Sequence, residues 1–241
     1  MSARFEELGW GETPIGEVSL RRRLDPVTGA DVFEVKLNDE WLMSSQFTVA
    51  ERELATRALA LLPGDGLTVA VGGLGLGYTA VAALDDARVA HVDVVELLEP
   101  VIAWHDQGLV PLGTVLTADA RCRFVHGDFF ALSRHGGYDP QRSNRTYDAV
   151  LLDIDHSPRH VLDDGSAGFY GLDGMRAVAS RLAPGGVYGM WSNDPPDAEY
   201  LAILRDVFAQ ASAEVITFPN PLQQRDATAT VYLAIAGSPA A

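Results

Sequence analysis

The chain is poor in cysteine: Cys122 is alone among 241 residues. An internal disulfide is therefore excluded, and so is a metal site built on paired thiolates. Histidines at HExxH spacing are missing as well, so no metal is expected. No apolar run reaches the roughly 18 residues that a membrane span needs. The first residues are acidic and polar and carry no signal-peptide pattern, and a cytoplasmic protein without membrane contact is expected. Basic residues are scarce too. Eighteen Lys and Arg stand against 33 Asp and Glu, for a net charge of −15. A polyanion would be repelled from most of such a surface, which argues against a nucleic-acid partner and for a small-molecule substrate. No internal repeat is visible.

What remains is an ordinary globular composition, 47% hydrophobic and 21% charged. The length suits one large domain with a small appendage. Loose ends are expected at residues 1–7 and 237–241. Residues 1–47 read as a β-hairpin unit of two or three antiparallel strands. Runs at 18–24 and 32–37 flank the turn cluster Asp25-Pro26-Val27-Thr28-Gly29, and Asn38-Asp39 turns into a short strand at 41–43. Arg21-Arg22-Arg23 is expected on an exposed or edge strand, where charge blocks mispairing. Thr48 and Glu51 fit a capping box that opens a helix, which Pro63-Gly64-Asp65-Gly66 ends.

From residue 67 strands alternate with helices. Apolar runs at 67–71, 92–96, 123–125, 149–153, 187–191, 214–218 and 229–234 read as strands, and 78–84, 98–107, 172–182 and 198–210 as helices. This alternation specifies an α/β fold: a doubly wound, mostly parallel, seven-stranded sheet across residues 48–241. The expected strand order is 3-2-1-4-5-7-6, with the last strand antiparallel.

The first core strand ends in Gly72-Gly73-Leu74-Gly75-Leu76-Gly77. Gly73, Gly75 and Gly77 let a backbone turn sharply and approach a ligand closely. The spacing does not fit the dinucleotide fingerprint, since Tyr78 stands where its last Gly or Ala belongs. It also lacks the G-K-[ST] of a phosphate loop, so a nucleoside with little phosphate is favoured. Glu96, at the end of the second strand, suits the two ribose hydroxyls. Asp128, after the third, suits an adenine amino group. After the fourth strand, Asp153, Asp155 and His156 lie within four residues. Any of the three could serve as base toward an amine nucleophile. Trp191 after the fifth strand and Tyr170 before a helix are candidates for the acceptor pocket.

The stretches 72–77, Val94-Val95-Glu96, Gly127-Asp128, 147–153 and Leu182-Ala183-Pro184-Gly185-Gly186 resemble the core of the spermidine synthase family. That family is built on the class I S-adenosylmethionine-dependent methyltransferase fold. The resemblance implies that Glu96 binds the ribose, Asp128 the adenine and the 73–77 loop the tail, and that Asp153 is the catalytic aspartate. It also implies a homodimer through the N-terminal unit. Two positions depart from the family. The loop aspartate that holds the tail amine of decarboxylated S-adenosylmethionine matches Leu76, and the polyamine-binding tyrosine matches Leu54. Of the acidic motif before the core, only Glu51 is kept. These departures make methyl transfer from S-adenosylmethionine to a small acceptor the first expectation. Aminopropyl transfer from the decarboxylated form is the alternative, and a non-catalytic nucleoside-binding protein is the third.

Overall fold

Period-two alternation gives the first residues one apolar face. In the computed structural model, which describes residues 5–38, 40–220 and 223–237, they form a four-stranded antiparallel sheet. Its strands run in sequential order: β1 (Phe5–Thr13), β2 (Gly16–Leu24), β3 (Asp31–Leu37) and β4 (Glu40–Ser44). Val18, Leu20, Val35 and Leu37 are buried on its inner face. β1 exceeds the expected two or three strands and takes in residues 5–7, which were expected to be loose. Its glycines weaken the strand pattern, yet they serve packing. A Cβ on Gly9 would lie 2.3 Å from the indole nitrogen of Trp104.

β2 is an inner strand, so the arginine run does not sit at an edge. Arg21 and Arg23 donate to the two carboxylate oxygens of Glu34 on β3, at 2.8 and 2.7 Å, and Arg22 pairs with Glu6 on β1. Cross-strand carboxylates neutralise the run and let it lie inside the sheet.

α1 (Val49–Ala60) buries Ala50, Leu54, Ala55, Ala58 and Leu59. Thr48 stands at its N-cap without a side-chain capping bond, so the expected capping box does not form. Glu51 turns instead toward the interior. Then follow β5 (Leu67–Gly72), α2 (Tyr78–Leu84), β6 (Val89–Glu96), α3 (Glu99–Asp106), α4 (Gly113–Ala118), β7 (Cys122–His126), α5 (Phe129–Arg134) and β8 (Tyr147–Leu152). A 3-10 segment (Asp164–Tyr170), α6 (Leu172–Ala179), β9 (Leu182–Ser192), α7 (Ala198–Val207), β10 (Gln210–Asn220) and β11 (Arg225–Ile235) complete the chain. The core sheet has the order β10-β11-β9-β8-β5-β6-β7, and β11 runs antiparallel to both neighbours. This is the doubly wound arrangement and strand order that the alternation implies. α4, α5 and the 3-10 segment were not expected; each is too short to show a helical period. α6 stops at Ala179 because Leu182 already pairs with Tyr147. Of the expected features, residues 1–4 and 238–241, Asp39 and Pro221 lie outside the described residues. Among those described, no helix is long and apolar enough to cross a membrane.

β6 carries a charge in the middle of the sheet. Asp93 is fully buried and is satisfied by the Tyr147 hydroxyl (2.7 Å), Arg123 (2.7 Å) and His91 (2.9 Å). A buried carboxylate that loses a donor keeps its desolvation cost. Tyr147→Phe should lower the unfolding free energy by about 1.5–3 kcal/mol, read by urea titration at constant m. An unchanged midpoint would show the hydroxyl to be dispensable.

Candidate active site

In a doubly wound sheet the ligand crevice opens at the carboxyl ends of the strands, where the winding reverses. Here that point lies between β5 and β8, and the ends of β8, β5, β6 and β7 form a row. A cavity of about 400 Å3 runs along them. Its roof comes from the N-terminal sheet, through Val35, Leu37, Leu42 and Met43. Gly73 joins the two halves of the floor. It has φ +93°, and a Cβ there would stand 2.2 Å from the main-chain oxygen of Asp153. Only glycine fits at that contact.

Glu96 and Asp128 both border the cavity. Oε2 of Glu96 accepts from the Leu74 amide and Oε1 from the Leu98 amide, each at 2.8 Å. Burial raises its pKa, while these amides pull it back toward the ionised form. The carboxyl borders the cavity, where it can accept from a ribose hydroxyl. Oδ1 of Asp128 caps α5 by accepting from Phe130 and Ala131. Oδ2 has no partner among the described residues and suits an amino group.

The glycine loop differs from the expectation in two ways. Leu76 is fully buried and does not border the cavity; Leu74 and Gly75 do. The loop positions that border the cavity therefore carry no charged side chain. The loop amides are also engaged. Gly73 donates to Val95, Leu74 to Glu96, Leu76 to Sδ of Met43 and Gly77 to Leu74, and the Gly75 amide helps to hold the Glu96 pKa down. His105, which the sequence reading did not single out, anchors the loop by contacting the Gly75 carbonyl through Nε2 at 3.0 Å. Burial lowers its pKa and favours the neutral ring.

Asp153 lies just beyond β8. Its Oδ2 accepts from Thr79 Oγ1 at 2.6 Å, and the same hydroxyl lies 3.3 Å from the Glu51 carbonyl. Thr79 thus ties the Asp153 loop to α1, and the carboxyl of Glu51 borders the cavity beside Asp153. Burial, and then the charge of Asp153, pushes Glu51 up to about 8; burial likewise raises Asp153. Glu51 and Trp191 also border a second cavity, of about 420 Å3, on the far side of α1's first turn.

The remaining candidates separate. Asp155 borders the first cavity, but its carboxylate is held by the Tyr170 hydroxyl and the Leu162 amide, the latter at 2.7 Å. Tyr170 is buried behind it and does not reach the cavity. It positions Asp155 rather than lining a substrate pocket. His156 turns away toward Glu40, 3.4 Å from its carboxylate. The strand ends at Leu152, so its alternation does not govern where these side chains point.

Glu51 has a consequence for stability. The folded protein keeps a proton on it that the unfolded chain releases near pH 4.5, so its contribution is full below that pH and is lost as the pH rises through about 8. Glu51→Gln should flatten this decline. Relative to wild type it should gain more than about 1 kcal/mol on going from pH 5 to pH 8.5 by urea unfolding. No relative gain would place the Glu51 carboxyl in water.

No family model matches the chain, and no curated protein matches it. Among solved structures, spermidine synthase from Thermotoga maritima aligns with TM-score 0.71 at 16% identity, over 96% of this chain and 73% of that one. A spermidine synthase in complex with the transition state analogue AdoDATO gives 0.71 at 16%, over 96% and 74%. A probable spermidine synthase from Corynebacterium glutamicum gives 0.63 at 18%, over 94% and 79%. The architecture that carries this site, a seven-stranded mixed sheet behind a small antiparallel one, is the spermidine synthase fold.

Proposed function

We propose that the chain is a cytoplasmic transferase that moves an aminopropyl group from decarboxylated S-adenosylmethionine to a small amine. The observation that carries this reading is the buried carboxyl pair, Glu51 and Asp153, at the tail end of the nucleoside groove. The basic side chain bordering the cavity, Arg134, follows β7 on α5, three strand spacings or about 14 Å from β8. A tail ending in an ammonium matches the pair. A tail ending in a carboxylate meets two acidic groups and a loop whose amides are already engaged. Methyl transfer, the first expectation, relied on those amides being open, so aminopropyl transfer takes its place. The fold neighbours, titled spermidine synthases, support the same choice.

The bound nucleoside supplies a methylene activated by a sulfonium. The neutral acceptor nitrogen attacks it: an N–C bond forms, the C–S bond breaks, and the electron pair stays on sulfur, leaving methylthioadenosine. Asp153 and Glu51 hold the acceptor in line and take the proton that the nitrogen sheds. Their raised pKa values suit a base near neutral pH. Glu96 and Asp128 fix the nucleoside, and the roof of apolar residues from the N-terminal sheet excludes water.

The same reading includes a homodimer. Phe5, Trp10 and Trp41 leave apolar surface exposed on the N-terminal sheet, and a monomer by light scattering at high concentration would remove that part. For the cofactor, calorimetric titration should give decarboxylated S-adenosylmethionine at least tenfold tighter than S-adenosylmethionine, about 1.4 kcal/mol. The preference should grow as the pH rises from 6 to 8 and the carboxyl pair ionises. Equal binding of the two would return the reading to methyl transfer. Glu96→Ala should weaken methylthioadenosine binding by roughly 1–3 kcal/mol.

A further inference from the structure

The second cavity begins where the first ends, and the two share Glu51 and Trp191. Its outer wall comes from the β10–β11 hairpin. Thr230 is the last residue of β11 to pair with β9, opposite Ser192, while the hairpin ladder continues to Asn220 and Arg225. Five residues of β11 therefore project past the sheet, about 17 Å at the usual rise. Phe47 and Phe218 pack at 6.2 Å in the wall. This chamber is the place for the acceptor of the proposed transfer, on which the inference rests.

The charges at the two ends of the chamber differ. At the shared end stands the carboxyl of Glu51. At the hairpin end stand Arg225 and Asp226, side by side in sequence. Arg225 donates to the neutral Gln223 at 3.0 Å and pairs with no carboxylate among the described residues. Asp226 likewise pairs with no cation among them. A diamine's second ammonium could pair with Asp226 but would leave the adjacent Arg225 guanidinium unmatched and repelled by it. A group carrying both an ammonium and a carboxylate matches both residues, with the carboxylate on the guanidinium fork. At the shared end, the buried indole N–H of Trp191 has no acceptor among the described residues. It pairs with a neutral amine nitrogen and not with an ammonium. We infer that the acceptor is an amine whose far end bears an α-amino-acid group, and that Arg225 selects it over a plain diamine.

Two matched pairs test this: ornithine against putrescine and lysine against cadaverine, each pair differing by one carboxylate. Each is titrated calorimetrically into the full-length protein saturated with methylthioadenosine. In the pair whose chain length fits, the amino acid should bind at least tenfold tighter. Arg225→Gln, an exposed hairpin substitution, should reduce that ratio to within threefold. Diamines binding as tightly as the amino acids, no binding by any of the four, or an unchanged ratio in R225Q would each overturn the inference. Release of methylthioadenosine from decarboxylated S-adenosylmethionine is scored separately. Preferential amino-acid binding without release would keep the acceptor assignment and remove aminopropyl transfer.

Discussion

Two carboxyl groups held out of water beside one another are costly unless a proton or a cation joins them, and the site is organised around that constraint. Glu51 comes from the first turn of α1 and Asp153 from the loop after β8, and Thr79 on α2 links them. Three elements distant in sequence must stay in place for the pair to exist. The free protein meets the cost by keeping a proton. An ammonium in the groove would meet it by charge, releasing that proton. In the proposed transfer the same pair would then accept a proton from the attacking amine, so that selection of a cationic tail and deprotonation of the acceptor would draw on one arrangement.

The glycine loop completes the arrangement by leaving little behind. Gly73 lets the β5 turn touch the Asp153 backbone, and Gly75 brings the loop under Met43 without a side chain between. The amides that a helix start would otherwise offer to an anion point to Glu96, to Met43 and to neighbouring carbonyls. A loop that looks ready to bind a carboxylate is thus closed to one, and the carboxylate of Glu96 itself is what occupies it. Glu96 fixes the loop through its amide bonds and also borders the groove.

Much of this was legible in the sequence. The consecutive apolar run of β5 announces a strand covered on both faces, and the strand order follows from the alternation of strands with helices. That Glu96 and Asp128 border the cavity was readable, because an acidic residue at or just beyond the end of a core strand has one edge of the sheet to face. Glu51 was misread as a capping residue. Thr48 and Glu51 have the capping spacing, and nothing in a linear sequence shows that the carboxyl finds a cavity and a second acid. The signal available was its survival from the acidic motif of the resembled family. Leu76 was taken for the ligand-facing loop position, because spacing alone does not tell which way a left-handed turn points a side chain. Tyr170 and His156 fell to the same limit: one ends a short 3-10 segment and the other lies on a loop, where neither period two nor 3.6 fixes direction. β1 was hidden by glycines that matter to Trp104, a contact about 95 residues away in the chain.

The small N-terminal sheet then acquires a physical reason. An antiparallel unit of this size is marginal alone, and its inner residues Val18, Leu20, Val35 and Leu37 belong to the same core as β5 and α1. Its far end, Leu42 and Met43, closes the groove over the glycine loop. Without that roof, water would reach the carboxyl pair, its pKa values would fall toward ordinary ones, and both groups would ionise without a ligand. The same sheet thus keeps the pair dry and, by doing so, holds its pKa values up; in the proposed transfer this is what would let it take a proton from an amine. The acidic surface around it, net −15 over the chain, favours the approach of a cation and raises the cost of an anion at every distance within the screening length.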